Sequence, residues 1–374
     1  MDKEKRLEFD AKLQRIFRFI DGSPYEAVVI GTQTNFSWLS CGGSSRVVNT
    51  SDIAAAYLVI TKETRTVVAY TMDGPRNLDE ELQGMGFEPV FINWIDGSLE
   101  ERVHKLLKGR KALADIAIES ADIGMQAFYA LHYPFTKWDI ERTREIHQGA
   151  EKLLGELVGN FKPGMLETEI ENLINCEFMK AGYFPVVVLI GSDERITKYR
   201  HLTAQPKKID KYLLIILAMR KYGLNAVLTR SVYFGDEIPE ELARKYDAAS
   251  TIAANCIAHS VPGTKFHSIL AMQKELYKEL GFEDEWKNHF QGGITGYIPN
   301  DSSLCLDAEA EMVEDQTYNW FVTITGVNTE DVYLSRKIGG EILTITGAWP
   351  LKAYETRNGK VIELPQIMKV RDRD

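Results

Sequence analysis

The sequence of 374 residues lacks the features that mark several classes of protein. Its four cysteines stand far apart and form no CxxC pair, so the sequence offers neither a zinc-knuckle pattern nor a disulfide framework. No stretch approaches the roughly 20 apolar residues that cross a bilayer. The first residues, MDKEKRLEFD, are charged and resemble no secretory signal. We therefore expect a cytoplasmic protein with no membrane partner.

Positive charge is also scarce and scattered. The 44 Lys and Arg residues are outnumbered by 54 Asp and Glu residues, which gives a formal net charge of −10. A nucleic-acid-binding surface needs a concentrated positive footprint to neutralise phosphates. We therefore expect no nucleic-acid partner.

The pattern of hydrophobic residues changes along the chain. Short β-branched and aromatic runs over 25–31, 55–61, 66–70 and 87–92 predict strands, and 77–84 and 99–107 have helical periodicity. From residue 136 onward long amphipathic helices follow instead. The sequence predicts an α/β fold with a mixed N-terminal domain over 1–135 and a second domain over 140–374.

The second domain contains an internal repeat. A helix, a Pro-Gly turn and a second helix with a glycine at its end occur twice, and the interval from Pro163 to Pro262 equals that from Gly182 to Gly281. Strand-like segments follow each copy, including 341–346 after the second. Two similar halves are predicted, and a cleft between their strands is a favourable place for a small ligand.

Five segments, in order, resemble the creatinase and Xaa-Pro aminopeptidase (prolidase) family. Residues 27–43 resemble a strand and turn of its N-terminal domain, and 140–182 resemble its pair of helices. His201, a few residues before a proline, resembles a histidine of the family, LTRSVYFG over 228–235 resembles its Ile-Thr-Arg-Thr-Val-x-Phe-Gly strand, and NTEDV over 328–332 resembles its late Glu-Asp strand. The resemblance implies that the second domain has the duplicated pita-bread fold of this family.

The resemblance also implies a site for two divalent metal ions, which the peptidases hold with two aspartates, one histidine and two glutamates. The positions that match the aspartates and the histidine are Ile216, Val227 and Gly293, and no acid occurs over 316–328 to supply the first glutamate. Only Glu330 matches. One carboxylate among hydrocarbon side chains cannot replace a full ligand set. We expect no metal at this site and no other cofactor.

The other polar residues on segments that line the cleft in the family are candidate site residues. We predict catalytic roles for His201, His289 and Glu330, and substrate-binding roles for Arg230, Tyr297, Gln291, Asn319, Trp320 and Thr325. His201 would act as general acid or base, Glu330 would orient N–H groups of the substrate, and Arg230 or Tyr297 would hold a carboxylate. The alternatives are a hydrogen-bonded structural role for each histidine and a structural ion pair for Arg230. We expect the two histidines, Arg230, Tyr297 and Glu330 to meet in one pocket.

Three functions remain open at this point. The first is a metal-independent hydrolase that cleaves a C–N bond of a small amide, peptide or guanidino compound, for which creatinase is the precedent in the family. The second is a catalytically inactive binding or scaffold protein with a peptidase-like fold. The third is an Xaa-Pro aminopeptidase or dipeptidase with an unusual metal site. A small molecule or short peptide is the expected ligand, and the resemblance implies a homodimer.

Overall fold

The computed structural model describes residues 2–338 and 340–371, apart from the side chain of Leu304. The chain divides into two compact units, Met1–Trp138 and Asp139–Asp374. Within the described ranges, no helix is long and apolar enough to cross a membrane.

The first unit is a six-stranded mixed sheet with helices. Its helices are α1 (Lys3–Asp21), α2 (Gln33–Leu39), α3 (Gly74–Arg76), α4 (Leu99–Leu107) and α5 (Met125–His132). Its strands are β1 (Ala27–Thr32), β2 (Ile53–Ile60), β3 (Arg65–Tyr70), β4 (Glu88–Ile92), β5 (Ala112–Ala114) and β6 (Ala121–Ile123), in the order β4-β3-β2-β1-β5-β6. The predicted helix over 77–84 is only partly present, because Asn77–Glu81 form a short π-helical turn.

Side-chain caps explain where the first two helices begin. The side chain of Asp2 accepts a hydrogen bond from the backbone N–H of Lys5 and caps α1, and Thr32 caps α2 in the same way. Strand β1 is buried along its whole length. It pairs with β2 on one side and β5 on the other, so its unbroken apolar run fits a central strand.

The second unit contains the longer helices and an eight-stranded sheet. Its helices are α6 (Lys137–Val158), α7 (Glu167–Lys180), α8 (Glu194–Lys198), α9 (Glu240–His259) and α10 (Phe266–Glu279). Its main strands are β7 (Phe184–Ser192), β8 (Tyr212–Lys221), β9 (Leu224–Phe234), β10 (Gly293–Thr295), β11 (Gln316–Ile324) and β12 (Val327–Ser335), and the shorter ones are β13 (Glu341–Ile342), β14 (Leu351–Glu355), β15 (Val361–Pro365) and β16 (Met368–Val370). The predicted strand over 341–346 is therefore limited to the two residues of β13.

The two halves of this unit repeat each other in backbone detail. Gly164 and Gly263, each after a proline, have φ of 86° and 87°, and both helix-ending glycines, Gly182 and Gly281, have φ of 82°. These positive values suit glycine, which has no Cβ to clash. The N–H of Gly164 donates to a carbonyl 2.8 Å away at Ile209, and the N–H of Gly263 donates at the same distance to Met312. The predicted α/β fold with a duplicated second part is confirmed.

The sheet joins the halves edge to edge in the order β10-β11-β12-β9-β8-β7. Strand β9 from the first half pairs with β12 from the second, with Thr229 opposite Glu330. Side chains alternate between the two faces of a strand. One face of this central pair therefore carries Thr229 and Glu330, while the other carries Arg230 and Asp331.

Candidate functional site

A cavity of about 310 Å³ lies against the face of the sheet that carries Glu330. Most of its wall is hydrocarbon, contributed by Val187, Leu189, Ile216, Val227, Phe290, Pro299 and Phe321, among others. Its polar lining residues are His201, His289, Asn300, Asn328 and Glu330. The cavity thus contains all three residues that were predicted to be catalytic.

Glu330 lies in the centre of an otherwise uncharged row across the sheet. The row runs from Ile216 through Thr229 and Glu330 to Phe321. The hydroxyl of Thr229 donates to Oε2 of Glu330 over 2.9 Å, and the Nδ2 atom of Asn319 donates to Oε1 over 3.0 Å. Only 3% of Glu330 is exposed. The row therefore holds one carboxyl group in a fixed orientation inside an apolar wall.

Burial raises the pKa of Glu330 to about 8, although the hydrogen bonds from Thr229 and Asn319 act in the opposite direction. The carboxyl group is therefore protonated at neutral pH. Oδ1 of Asn319 has no hydrogen-bond partner among the described residues. A reversed carboxamide would place this oxygen against Glu330, where it would accept the carboxyl proton.

His201 and His289 form a pair at the same cavity. Their Nε2 atoms are 3.1 Å apart, and Nδ1 of His289 is 2.6 Å from the carbonyl oxygen of Phe290. A carbonyl oxygen only accepts, so Nδ1 of His289 carries a proton and its Nε2 accepts from His201. Burial lowers the pKa of His289, and the nearby His201 and Arg200 lower it further. His289 is therefore neutral at pH 7.

An ion pair connects the two loops that carry these histidines. The guanidinium of Arg200, beside His201, donates to Glu285 over 2.6 Å and to the hydroxyl of Thr325 over 2.9 Å. Glu285 also accepts the backbone N–H and the hydroxyl of Thr325. Because Glu285 precedes His289 by four residues, this cluster fixes both loops to the β11–β12 turn.

Arg230 does not line the cavity, contrary to the expectation from the sequence. It is on the opposite face of β9, where it donates to Asp331 over 3.0 Å, to the carbonyl of Thr344 and to the carbonyls of Thr229 and Glu330. Its partner is Asp331, so the structural ion pair is the correct alternative. From this face Arg230 donates to the backbone carbonyl of each of the two paired residues, Thr229 and Glu330.

Tyr297 does not line the cavity either, because its hydroxyl donates to Asp139 over 2.7 Å at a fully buried position. The other predicted substrate-binding residues are also bonded within the protein. Gln291 accepts from the hydroxyl of Tyr277, Trp320 donates to Ser260 from the opposite face of β11, and Thr325 belongs to the Arg200 cluster. Of this group, two residues bond to residues that line the cavity: Asn319 donates to the carboxyl group of Glu330, and Gln291 donates to the backbone carbonyl of His289.

Two polar lining residues, Asn300 and Asn328, were missed in the sequence. Asn328 could have been found, since it precedes Glu330 by two residues on one strand and so shares its face. Asn300 lies in a loop after β10, and no periodicity predicts its orientation. Within the described ranges, no three His, Cys, Asp or Glu side chains are grouped so that they could hold a metal ion.

We predict that Glu330→Gln changes how stability depends on pH. Below about pH 4.5 both the folded and unfolded states bind the Glu330 proton; between about 4.5 and 8 only the folded state keeps it. The wild type should therefore lose up to about 1.4 kcal/mol of unfolding free energy per pH unit in this window through Glu330, and the variant should lack that contribution. Urea unfolding across the window measures both slopes. Glu283→Gln, at an exposed position, is the matched control, and its stability should depend on pH as that of the wild type does. If the slopes of Glu330→Gln and the wild type were equal, the carboxyl group of Glu330 would not be buried in its neutral form.

Several solved structures have the same fold at low sequence identity. The Xaa-Pro dipeptidase from Bacillus anthracis is 16% identical with a TM-score of 0.73, over 97% of this chain and 100% of that chain. Dipeptidase PepE from Mycobacterium ulcerans is 13% identical with a TM-score of 0.77, over 98% and 99%. The N-terminal domain of FACT complex subunit SPT16 from Cicer arietinum is 10% identical with a TM-score of 0.68, over 91% and 96%. These identities establish similarity of fold alone.

A search of curated protein sequences finds no match to this chain. The family model of metallopeptidase family M24 matches residues 141–329, which is half of the chain and contains most of the residues around the cavity. The chain therefore belongs to metallopeptidase family M24.

Proposed function

We propose that this chain is a hydrolase that cleaves a C–N bond without a metal ion, with the His201–His289 pair as base and Glu330 as acid. Membership of a peptidase family indicates a hydrolase in general terms. The observation that supports the finer proposal is that a hydrogen-bonded histidine pair and a buried carboxyl group line one cavity, where burial lowers the pKa of His289 and raises that of Glu330. Groups shifted apart in this way are suited to acid and base roles at the same pH.

The residues around the cavity do not fit the two metal ions that the family implies. Ile216 and Val227 present hydrocarbon where the resemblance places aspartates, and β11 presents Phe321 opposite Glu330. Gly293 has no room for a histidine, because even a Cβ atom would overlap the backbone carbonyl of Asp301. A dinuclear site needs several oxygen and nitrogen ligands around both ions. Among the positions that match the family's ligands, Glu330 alone supplies one, and His201 and His289 are not grouped with it so that the three could hold a metal ion. No step of the proposed reaction therefore passes through a metal.

The histidine pair has a defined direction for proton transfer. Since His201 donates its Nε2 proton to His289, Nδ1 of His201 is the basic nitrogen of the pair. A proton taken up at this nitrogen allows the Nε2 proton to pass to Nε2 of His289. Two linked imidazoles then share the positive charge.

In the proposed reaction, the histidine pair takes a proton from water while the water oxygen attacks the carbon of the scissile C–N bond. Glu330 gives its proton to the nitrogen as that bond breaks. The proton on the histidine pair then returns to Glu330. One water is consumed, its hydroxyl stays on carbon and a hydrogen leaves with nitrogen, so both groups are restored. Homodimerisation and a cytoplasmic location stay predictions.

A second candidate is a ligand-binding protein without catalysis. The mostly hydrocarbon wall of the cavity is typical of binding sites for small molecules. The match to the N-terminal domain of a FACT complex subunit also indicates that this fold is not confined to proteins described as peptidases. Under this alternative, a ligand binds the cavity and leaves unchanged.

We predict a bell-shaped pH dependence of kcat/KM for any amide, dipeptide or guanidino substrate found by screening for released amine. Activity should rise as His289 loses its proton, at a pH below its ordinary value of 6.5, and fall as Glu330 ionises near 8. His201→Ala and Glu330→Gln should each lower kcat by about 10²–10⁴. His267→Ala, at an exposed position on α10, is the matched control. Full activity in both site variants would dismiss the mechanism, and substrate binding with no turnover in the wild type would favour the second candidate.

We predict that removal of divalent ions leaves turnover unchanged. Dialysis against a strong chelator, followed by elemental analysis, should give a protein as active as before, because the proposed acid and base are side chains. About one or two zinc, manganese or cobalt ions per chain, lost together with activity and restored together with it, would support the metal-dependent peptidase instead.

A further inference from the structure

Two buried oxygen atoms at the cavity have no donor. Asn328 is 6% exposed, and its Oδ1 atom lacks a hydrogen-bond partner within residues 2–338 and 340–371. The same is true of Oδ1 of Asn300. Both residues line the cavity together with Glu330. A buried acceptor without a donor is costly, so both positions are places where a ligand with N–H groups would gain hydrogen bonds.

The backbone places these two carboxamides at the cavity. Asn328 shares a face of β12 with Glu330, two residues away. The Oδ1 atom of Asn300 lies 2.9 Å from the point that a Cβ atom on Gly293 would occupy. Because residue 293 is glycine, both the backbone of Asp301 and the carboxamide of Asn300 approach β10 closely.

The charges at the cavity limit what the ligand can be. No lysine or arginine is among the described lining residues, so a carboxylate would have no counter-charge. The single acid there is Glu330, which burial keeps neutral at pH 7, so an ammonium or guanidinium group would have none either. The ligand that fits carries N–H donors and no net charge.

We propose that the cavity binds the –C(=O)NH₂ group of a small primary amide or urea-type compound, with its two N–H bonds directed to Asn300 and Asn328. The remainder of the molecule would lie against the hydrocarbon of Ile216, Val227 and Phe321. The inference rests on the proposed function for the identity of the scissile bond, which is the C–N bond of this group. Water would add its hydroxyl to the carbonyl carbon, and ammonia would leave with the proton from Glu330.

The test uses four benzene derivatives that differ only in the group attached to the ring: benzamide, N,N-dimethylbenzamide, benzoate and benzamidinium. Dissociation constants are measured by calorimetry at pH 7 on the full chain. We expect benzamide to bind about ten-fold or more tightly than each of the others, because they lack the two N–H donors or add a charge. Equal affinities across the series, or no binding of benzamide, would overturn the inference.

Variants then identify the side chains that accept the N–H bonds of the ligand. Asn328→Leu and Asn300→Leu should each lose most of the preference for benzamide over its dimethyl derivative, whereas Asn160→Leu, at an exposed position after α6, should keep it. Asn328→Asp has almost the same shape as the wild type and keeps an acceptor oxygen at this position, so it should fold and keep the preference for benzamide over its dimethyl derivative. An unchanged ranking in the Leu variants, or loss of this preference in Asn328→Asp, would overturn the assignment.

This experiment distinguishes a failure of the proposed binding from a failure of the proposed cleavage. Ammonia released from bound benzamide is measured on the same samples. Selective binding without ammonia would contradict the proposed hydrolysis and support the binding site. Ammonia release with no preference among the four ligands would support the hydrolysis and contradict the binding site.

Discussion

The structure of this site depends on the burial of one carboxyl group at the junction of two sheet halves. Glu330 lies where β12 of the second half pairs with β9 of the first, opposite Thr229. Its neighbours along the row, Thr229 and Phe321, carry no charge, so a charge on Glu330 has no nearby compensation on that face. Arg230 is adjacent in sequence to Thr229 but on the other face, where Asp331 already neutralises it. The alternation of the strand thus separates a buried ion pair from a buried neutral acid.

Arg230, on the opposite face of the sheet, also stabilises the two strands at the site. Its guanidinium binds the backbone carbonyls of both Thr229 and Glu330, so it holds the two strands in register beneath the acid. The proposed base is held in a different way. His201 and His289 come from loops, and the Arg200–Glu285 ion pair with Thr325 fixes these loops relative to the sheet. The acid therefore lies on a strand and the base on two loops, and the three segments meet at one cavity.

Much of the fold could be predicted from the sequence, since the repeated Pro-Gly turns and terminal glycines reflect backbone conformations that recur within about one degree of φ. The site was predictable only in part. Which face Arg230 and Trp320 occupy depends on the register of β9, β11 and β12, and a strand pattern that is buried on both faces gives no sign of it. The approach of His201 to His289 depends on loop conformation, which no periodicity encodes.

The most direct test of these proposals is the ionisation of Glu330 itself. Carbon-13 NMR of the side-chain carboxyl carbons, titrated in the wild type and in Glu330→Gln, assigns the resonance by its absence from the variant. We predict one glutamate that stays protonated at pH 7 and titrates near 8. A Glu330 resonance that titrates near the ordinary value of 4.5 would show a carboxylate at neutral pH, and the proposed acid would then be contradicted.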